Sequence, residues 1–188
     1  MVEIAGIIVA AGIGVIKKDR IMFNIGDQVV HPQHGVGEVV KLEDRAFGSD
    51  VTRRYYEVSI PSAGSTLWVP LDPPGSGLRK LAERSEIEFC RAILASLPEP
   101  FTDDPRIRQA DLIKRLKHGT IRAQCEVLRD LYAFGEHKSK YSSMGGFFQQ
   151  TQNVLCEEWA LVEGMTLEDA AQEVNTLLYK SRKLAAKA

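Results

Sequence analysis

Polar and apolar residues alternate in short runs between about residue 23 and residue 81. These runs are rich in β-branched and aromatic residues, and stretches of Gly, Pro, Ser and Asp separate them. The runs lie at 27–31, 36–42, 54–60 and 65–70. Short runs at this spacing predict four or five β-strands. We expect a small, strongly bent antiparallel barrel, because an open sheet of this size would leave long edges exposed.

The apolar period changes to that of α-helices after residue 81. Apolar residues then recur every three or four positions in about five segments, which is the spacing of one helix face. Residues suited to capping stand where these segments begin. The candidates are Thr102 or Asp103, followed by Pro105, for the second helix, Thr120 for the third and Thr166 for the fifth. The sequence therefore predicts a compact helical domain after the strands.

The chain divides into an N-terminal segment (1–21), a β domain (22–81) and an all-α domain of about five helices (82–188), an α+β architecture of two domains. The first segment carries an apolar run from Ile4 to Ile16, shorter than the roughly 20 residues that cross a bilayer. Its lysines follow the run, whereas those of a secretory signal precede it. We interpret residues 1–21 as an extension outside the fold, with a membrane or partner anchor as the alternative.

A formal net charge of −1 hides a segregation of charge in the helical domain. Residues 105–140 contain nine Lys or Arg against four acidic residues, and residues 150–175 contain six acidic residues and no Lys or Arg. A basic helix surface binds DNA phosphates by releasing counterions, without reading the base sequence. Plain solvation of a helix face explains the same charges, and composition does not separate the two interpretations.

Candidate catalytic groups are scattered along the chain. His31 and His34 flank Pro32 and amount to half of a metal site, so we interpret them as turn-packing residues. Glu157 and Glu158 are neighbours on a predicted helix, so their side chains diverge. We expect no enzyme activity, no metal and no cofactor. The three cysteines are far apart in apolar helical patterns and predict buried, reduced thiols in a cytoplasmic protein.

The opening of the β domain resembles a known family. Residues 23–37 read FNIGDQVVHPQHGVG and contain a G-D-x-V-V-x-P-x-H-G run. The segment 23–37, which directly follows Met22 and in which the G-D run begins at Gly26, is similar to the start of the CarD/CdnL transcription regulators and to the polymerase-interacting domain of transcription-repair coupling factor. The resemblance continues at 67–70 (LWVP) and 126–132 (EVLRDLY), and it covers most of residues 22–163.

The resemblance implies a Tudor/SH3-like first domain that docks on the beta subunit of RNA polymerase. The polymerase-binding residues it points to are Arg45 and Trp68, with the nearby Arg53 and Arg54. Trp68 stands where some members of the family carry an arginine. An exposed Trp68 would serve as an interface anchor, since aromatic residues are enriched among binding hot spots. The other interpretation is that Trp68 packs inside the barrel.

The resemblance also implies that the helical domain contacts promoter DNA at the upstream edge of the transcription bubble. In such proteins a tryptophan wedges into the minor groove and basic neighbours hold phosphates. Here the position of that tryptophan falls at or beside Pro105, and no Trp occurs between residues 69 and 158. The DNA-binding candidates are Pro105, Arg106, Arg108, Lys114, Arg115 and Lys117.

We therefore expect a CarD-like transcription regulator, monomeric and cytoplasmic, that binds the polymerase beta subunit and promoter DNA and no membrane. The alternative is a polymerase-bound protein-interaction module without stable DNA contact. The missing wedge tryptophan and the acidic segment at 150–175 favour this alternative. Trp159 lies in an apolar stripe and is predicted to be a core residue.

Overall fold

The computed structural model describes residues 23–46, 51–71, 78–100, 102, 104–116, 119–135 and 143–187. The N-terminal segment 1–21 and the DNA-binding candidate Lys117 lie outside the described residues. Within the described part of the chain, five strands are followed by five helices. The predicted α+β fold, with the strands before the helices, is confirmed.

The strands form one antiparallel sheet. They are β1 (Gln28–His31), β2 (Gly35–Arg45), β3 (Arg53–Ile60), β4 (Ser65–Pro70) and β5 (Arg79–Lys80). Their order across the sheet is β4-β3-β2-β1-β5. The first four match the predicted runs, whereas β5 is only two residues long and carries no alternation that a sequence pattern could detect. A bulge at Val40, where the pairing of β2 with β3 shifts between Val39 and Lys41, bends the long strand β2.

One face of the sheet carries the core of the β domain. The buried side chains are Phe23, Val29, Val39, Tyr56, Val58, Ile60, Val69 and Leu78. Gly37 lies so close to this core that an added Cβ would come within 2.5 Å of Ile60 Cδ1 and 2.6 Å of the Ser59 carbonyl oxygen. A glycine is therefore required where β2 crosses β3 at this point.

The helical domain has its own core. The helices are α1 (Arg84–Ala95), α2 (Pro105–Leu116), α3 (Ile121–Ala133), α4 (Ser143–Glu163) and α5 (Leu167–Ala185). Helix α3 lies at the centre and contacts the other four. Trp159 is fully buried in this core, which confirms its prediction, and its indole N–H donates to Glu173 at 3.1 Å. The three cysteines, Cys90, Cys125 and Cys156, are buried free thiols.

The helix caps agree with the sequence at two of three predicted positions. The Thr120 hydroxyl accepts from the Ala123 amide at 3.2 Å, and the Thr166 hydroxyl accepts from the Asp169 amide at 3.1 Å. At α2, Asp103 lies outside the described residues, and the cap is Asp104 and not Thr102. Asp104 accepts from the Arg106 amide at 2.8 Å, because a proline at the first helical position makes the residue before it the cap.

Helix α4 joins the two domains through the turn between β1 and β2. The Glu157 carboxylate accepts from the Val36 amide at 3.3 Å, and the Gln150 side chain donates to the Gln33 carbonyl at 2.8 Å. Gly35 has a left-handed φ of +90°, and an added Cβ would lie 2.3 Å from Glu157 Oε2. The Pro-Gln-His-Gly turn is thus pressed directly against the helical domain.

Replacing Gly35 with alanine is expected to destabilise the protein by about 2–3 kcal/mol, since it adds a clash with Glu157 to the strain of a left-handed alanine. Gly26→Ala is the matched control. Gly26 has a φ of +91° with nothing within 4 Å of the added Cβ, so only the strain, about 1 kcal/mol, applies.

Urea unfolding measures both changes. In the double variant Gly35→Ala/Glu157→Ala the clash is absent, so the loss of unfolding free energy caused by Gly35→Ala should fall to that of Gly26→Ala. Equal losses for the two single variants would show that the contact with α4 contributes nothing.

Candidate functional site

The sheet presents a second face, which points away from the core. Alternation along β2, β3 and β4 assigns to this open face the residues Lys41, Glu43, Arg45, Arg53, Tyr55, Glu57, Thr66, Trp68 and Pro70. Glu57 pairs with Lys41 on one side and with Trp68 on the other, and Arg45 pairs with Arg53. The open face therefore mixes charged and aromatic side chains, unlike the apolar face behind it.

Arg45 and Trp68 meet on this open face. The Arg45 guanidinium carbon lies 3.5 Å from the centroid of the Trp68 ring, a cation–π contact. Arg45 and Lys41 both donate to Glu43. Hydrogen bonds from Lys41 and then from Arg45 hold the pKa of the Glu43 carboxyl below its usual value. Trp68 is half-buried on the open face and does not belong to the buried core of the β domain.

Arg53 and Arg54 point to opposite faces, since they are consecutive on β3. Arg53 shares the open face with Arg45 and Trp68. Arg54 pairs with Asp44 instead, with 3.0 Å from Nε to Oδ1, and this hydrogen bond lowers the pKa of Asp44. The structure thus brings together three of the four predicted polymerase-binding residues and sets Arg54 apart from them.

Helix α2, which begins at Pro105, exposes part of the predicted DNA-binding set. Arg106 and Lys114 are exposed and Arg108 is half-buried. Ile107 also projects into solvent, with 58% of its surface accessible. The sequence analysis did not single out this exposed isoleucine between two arginines, because periodicity alone does not show whether an apolar side chain is buried.

Arg115 points inward, unlike the exposed Arg106 and Lys114. Its guanidinium lies 3.0 Å from the fully buried carboxylate of Asp130 on α3 and 3.7 Å from Glu126. Asp130 also accepts from the Glu99 amide at 3.0 Å and from Arg129 at 2.8 Å. The EVLRDLY helix therefore holds the α1–α2 connection and α2 in place. The Arg115 charge is therefore engaged in an ion pair with Asp130 inside the helical domain.

Three of the six acidic residues in the 150–175 segment form ion pairs inside the protein. Glu158 pairs with Arg79, and Glu163 and Glu173 both pair with Arg91 of α1. Hydrogen bonding to Arg91 holds the pKa of Glu173 below its usual value. Half of the acidic residues in this segment are therefore paired with arginines from elsewhere in the chain.

The two histidines of the β1–β2 turn pack against each other, with ring centroids 4.6 Å apart. His31 Nδ1 accepts from the Gln33 amide at 3.2 Å. Burial, and then the neighbouring His34, lower the pKa of His31 to about 4. Within the described ranges no three His, Cys, Asp or Glu side chains are grouped to hold a metal ion. The helices described here include none long and apolar enough to cross a membrane.

With this geometry in hand, comparison with known families identifies the β domain. Residues 23–82 match the model of the CarD-like/TRCF RID domain. The chain therefore carries a domain of this family, which confirms the resemblance seen in its opening motif.

The likeness extends beyond this domain. A curated protein of Bacillus subtilis (strain 168), named "Putative transcription factor YdeB", is 23% identical over 146 residues, which cover 77% of this chain and 95% of that protein. Because the alignment is longer than the matched domain, it includes helical residues as well. The similarity therefore spans both halves of the described fold.

The lowered pKa of His31 predicts a dependence of stability on pH. The unfolded chain takes up a proton near pH 6.5 and the folded protein only near pH 4, so stability falls as the pH drops from 6.5 toward 4. In His31→Gln this contribution is absent. We expect thermal unfolding midpoints to fall more steeply between pH 7 and 5.5 in the parent protein than in the variant. Parallel curves would contradict the burial of a neutral His31.

Proposed function

We propose that this protein is a transcription regulator that binds the beta subunit of RNA polymerase with the open face of its β domain and promoter DNA with helix α2. The observation that carries the proposal is the Arg45–Trp68 pair on the open face of a CarD-like/TRCF RID domain. Family membership supports polymerase as the partner. The open face supports a specific place on this chain for the contact.

The chemistry of the open face suits a protein partner. Trp and Arg are the residues most enriched in binding hot spots, because they combine a large apolar contact with directional donors. Arg45 lies over the Trp68 ring, so the pair is partly ordered before binding and loses less conformational entropy on contact. Strand β4, which contains Trp68, is also an edge of the sheet, and an edge strand can accept a strand from a partner.

Replacing Trp68 with alanine is expected to weaken binding to the isolated N-terminal lobes of the polymerase beta subunit by about 30-fold, the effect of a hot spot of about 2 kcal/mol. Arg45→Glu should weaken binding at least as much, because it also places a third carboxylate near Glu43 and Glu57. Titration calorimetry on the folded full chain measures both. Arg54→Gln is the control on the opposite face, and a loss equal to that of Trp68→Ala would contradict the assignment of the open face.

Helix α2 is the part of the helical domain best suited to DNA. Arg106 and Lys114 are exposed and available to phosphates, whereas Arg115 is used in the fold. Such contacts bind the backbone without sequence preference. Ile107, exposed between the arginines, is placed to insert at a distorted base step, as apolar side chains do in minor-groove binders. In this proposal Ile107 takes the role of the minor-groove tryptophan, because this sequence has no Trp between residues 69 and 158.

Removing one phosphate-binding charge is expected to reduce the salt dependence of DNA binding. In Arg106→Ala the slope of log K against log salt concentration should fall in magnitude by about one, and affinity should drop equally for different DNA sequences. Fluorescence anisotropy at several salt concentrations measures this. Lys180→Ala, an exposed lysine of α5, is the matched control with the same change in net charge. Identical slopes for the parent protein and Arg106→Ala would remove α2 from the DNA interface.

The alternative function is a polymerase-bound protein-interaction module without stable DNA contact. The exposed apolar side chains Phe89 and Ile113, at 60% and 56%, favour it, whereas the internal pairing of the acidic segment counts against it. Footprinting distinguishes the two functions: unchanged promoter protection despite polymerase binding would select the alternative. In either case we propose a non-enzymatic, monomeric protein located with polymerase in the cytoplasm.

A further inference from the structure

Arg79, the first residue of β5, forms several polar contacts with the helical domain. Its two Nη atoms bind both oxygens of Glu158 on α4, at 2.5 and 2.6 Å. Nη2 also donates to the Gln124 side chain of α3 at 3.1 Å, and Nε donates to the carbonyl of Gly119. A guanidinium is planar and carries five N–H donors in a fixed fork, so these contacts determine its position and orientation.

The Gly119 contact places Arg79 at the end of helix α2. Gly119 forms the corner between α2 and α3 with a left-handed φ of +64°, and its amide donates to the Leu116 carbonyl at 2.8 Å. Arg79 holds the other polar group of the same residue. The last strand of the β domain is therefore bonded directly to the corner that sets the direction of α2.

Helix α2 is held to the helical domain by apolar and polar contacts of its own. Leu112 is buried, while Ile107 and Ile113 are each more than half exposed. Arg115 of α2 forms an ion pair with Asp130 of α3, which lies entirely within the helical domain. Contacts of this kind hold α2 to α3 but do not relate it to the sheet. Arg79, by contrast, bonds a strand of the β domain directly to Gly119, at the corner that follows α2.

The ion pair between Arg79 and Glu158 favours one arrangement of the two domains at their boundary. Glu158 is fully buried, and its Oε1 also accepts from the Ala82 amide at 2.8 Å, so one carboxylate collects donors from both sides of the domain boundary. Removing one partner of such a pair leaves a buried charge without compensation, whereas a slightly displaced joint loses several hydrogen bonds at once. The domains therefore have one favoured arrangement at this boundary.

We propose that Arg79 is a positioning residue that sets helix α2 relative to the open face of the sheet. The role in transcription rests on the proposed function: a protein anchored to polymerase by Trp68 presents α2 to DNA at one distance and angle. The positioning of α2 relative to the sheet does not depend on the proposed function. A lysine at position 79 keeps the charge but cannot reach Glu158, Gln124 and Gly119 together.

Double electron–electron resonance on the full chain tests the positioning directly. Spin labels at Thr66→Cys on β4 and Asp111→Cys on α2 both occupy exposed positions. The native thiols are buried, and burial raises the pKa of Cys125 well above its usual value and that of Cys156 to about 11, so the introduced cysteines react preferentially. We expect a narrow distance distribution in the parent protein and a shifted or clearly broadened one in Arg79→Lys.

Arg91→Lys is the matched control. Arg91 also forms forked ion pairs, with Glu163 and Glu173, but within the helical domain. It should lower the thermal unfolding midpoint as Arg79→Lys does, and leave the distance between the labels unchanged. A distribution in Arg79→Lys that coincides with the parent, or an equal change in Arg91→Lys, would overturn the proposal.

A second variant keeps the test decisive if Arg79→Lys does not fold. Glu158→Gln preserves the size of the side chain and replaces the acceptor for one Nη with an amide donor. It should broaden the distribution of the same label-to-label distance, and an unchanged distribution in this variant would overturn the proposal.

The functional readout separates this inference from the proposed function. In Arg79→Lys, affinity for the polymerase beta lobes should match the parent, while promoter protection in the presence of polymerase falls at least tenfold. If the distance shifts but the parent protein itself protects no DNA, the positioning holds and the DNA-binding function fails. If protection in Arg79→Lys equals that of the parent despite a shifted distance, the positioning role in transcription is overturned.

Discussion

The buried ion pair between Arg79 and Glu158 is the interaction on which the arrangement of the two domains depends. Glu158 is fully buried, and a carboxylate in that environment requires a charged partner and satisfied hydrogen bonds. Its partner belongs to a strand of only two residues at the edge of the sheet. That strand is too short to be stabilised by its own pairing with β1, so the sheet and the helices stabilise each other across this boundary.

The neighbouring carboxylate of Glu157 completes the joint. Glu158 binds β5, and Glu157 binds the turn between β1 and β2, so two consecutive residues of α4 hold two separate parts of the sheet. Gly35 allows the second contact, because any side chain there would meet Glu157. The glycine at the end of the recognisable opening motif therefore has a structural role in joining the domains, and the proposed interaction surface lies elsewhere, on the open face.

Basic and acidic residues that are separated along the chain lie next to one another in the folded protein. The arginines of β5 and α1 neutralise acidic residues of α4 and α5, and Arg115 neutralises Asp130 beneath α2. Among the described residues, the Arg45–Trp68 pair on the sheet and the exposed residues of α2 around Ile107 stay available to a partner. The two surfaces belong to different domains, and the joint at Arg79 relates one to the other.

Four of the strands, all five described helices, two helix caps and the burial of Trp159 could be predicted from the sequence, because alternation, helical period and capping are properties of neighbouring residues. The opening motif also identified the family of the β domain. The position of β5, the inward direction of Arg115 and the contact of Trp68 with Arg45 on the open face could be seen only in the folded protein. These features depend on partners distant in the chain: Arg79 and Glu158 are 79 positions apart, and no local pattern selects one buried ion pair among many possible charges.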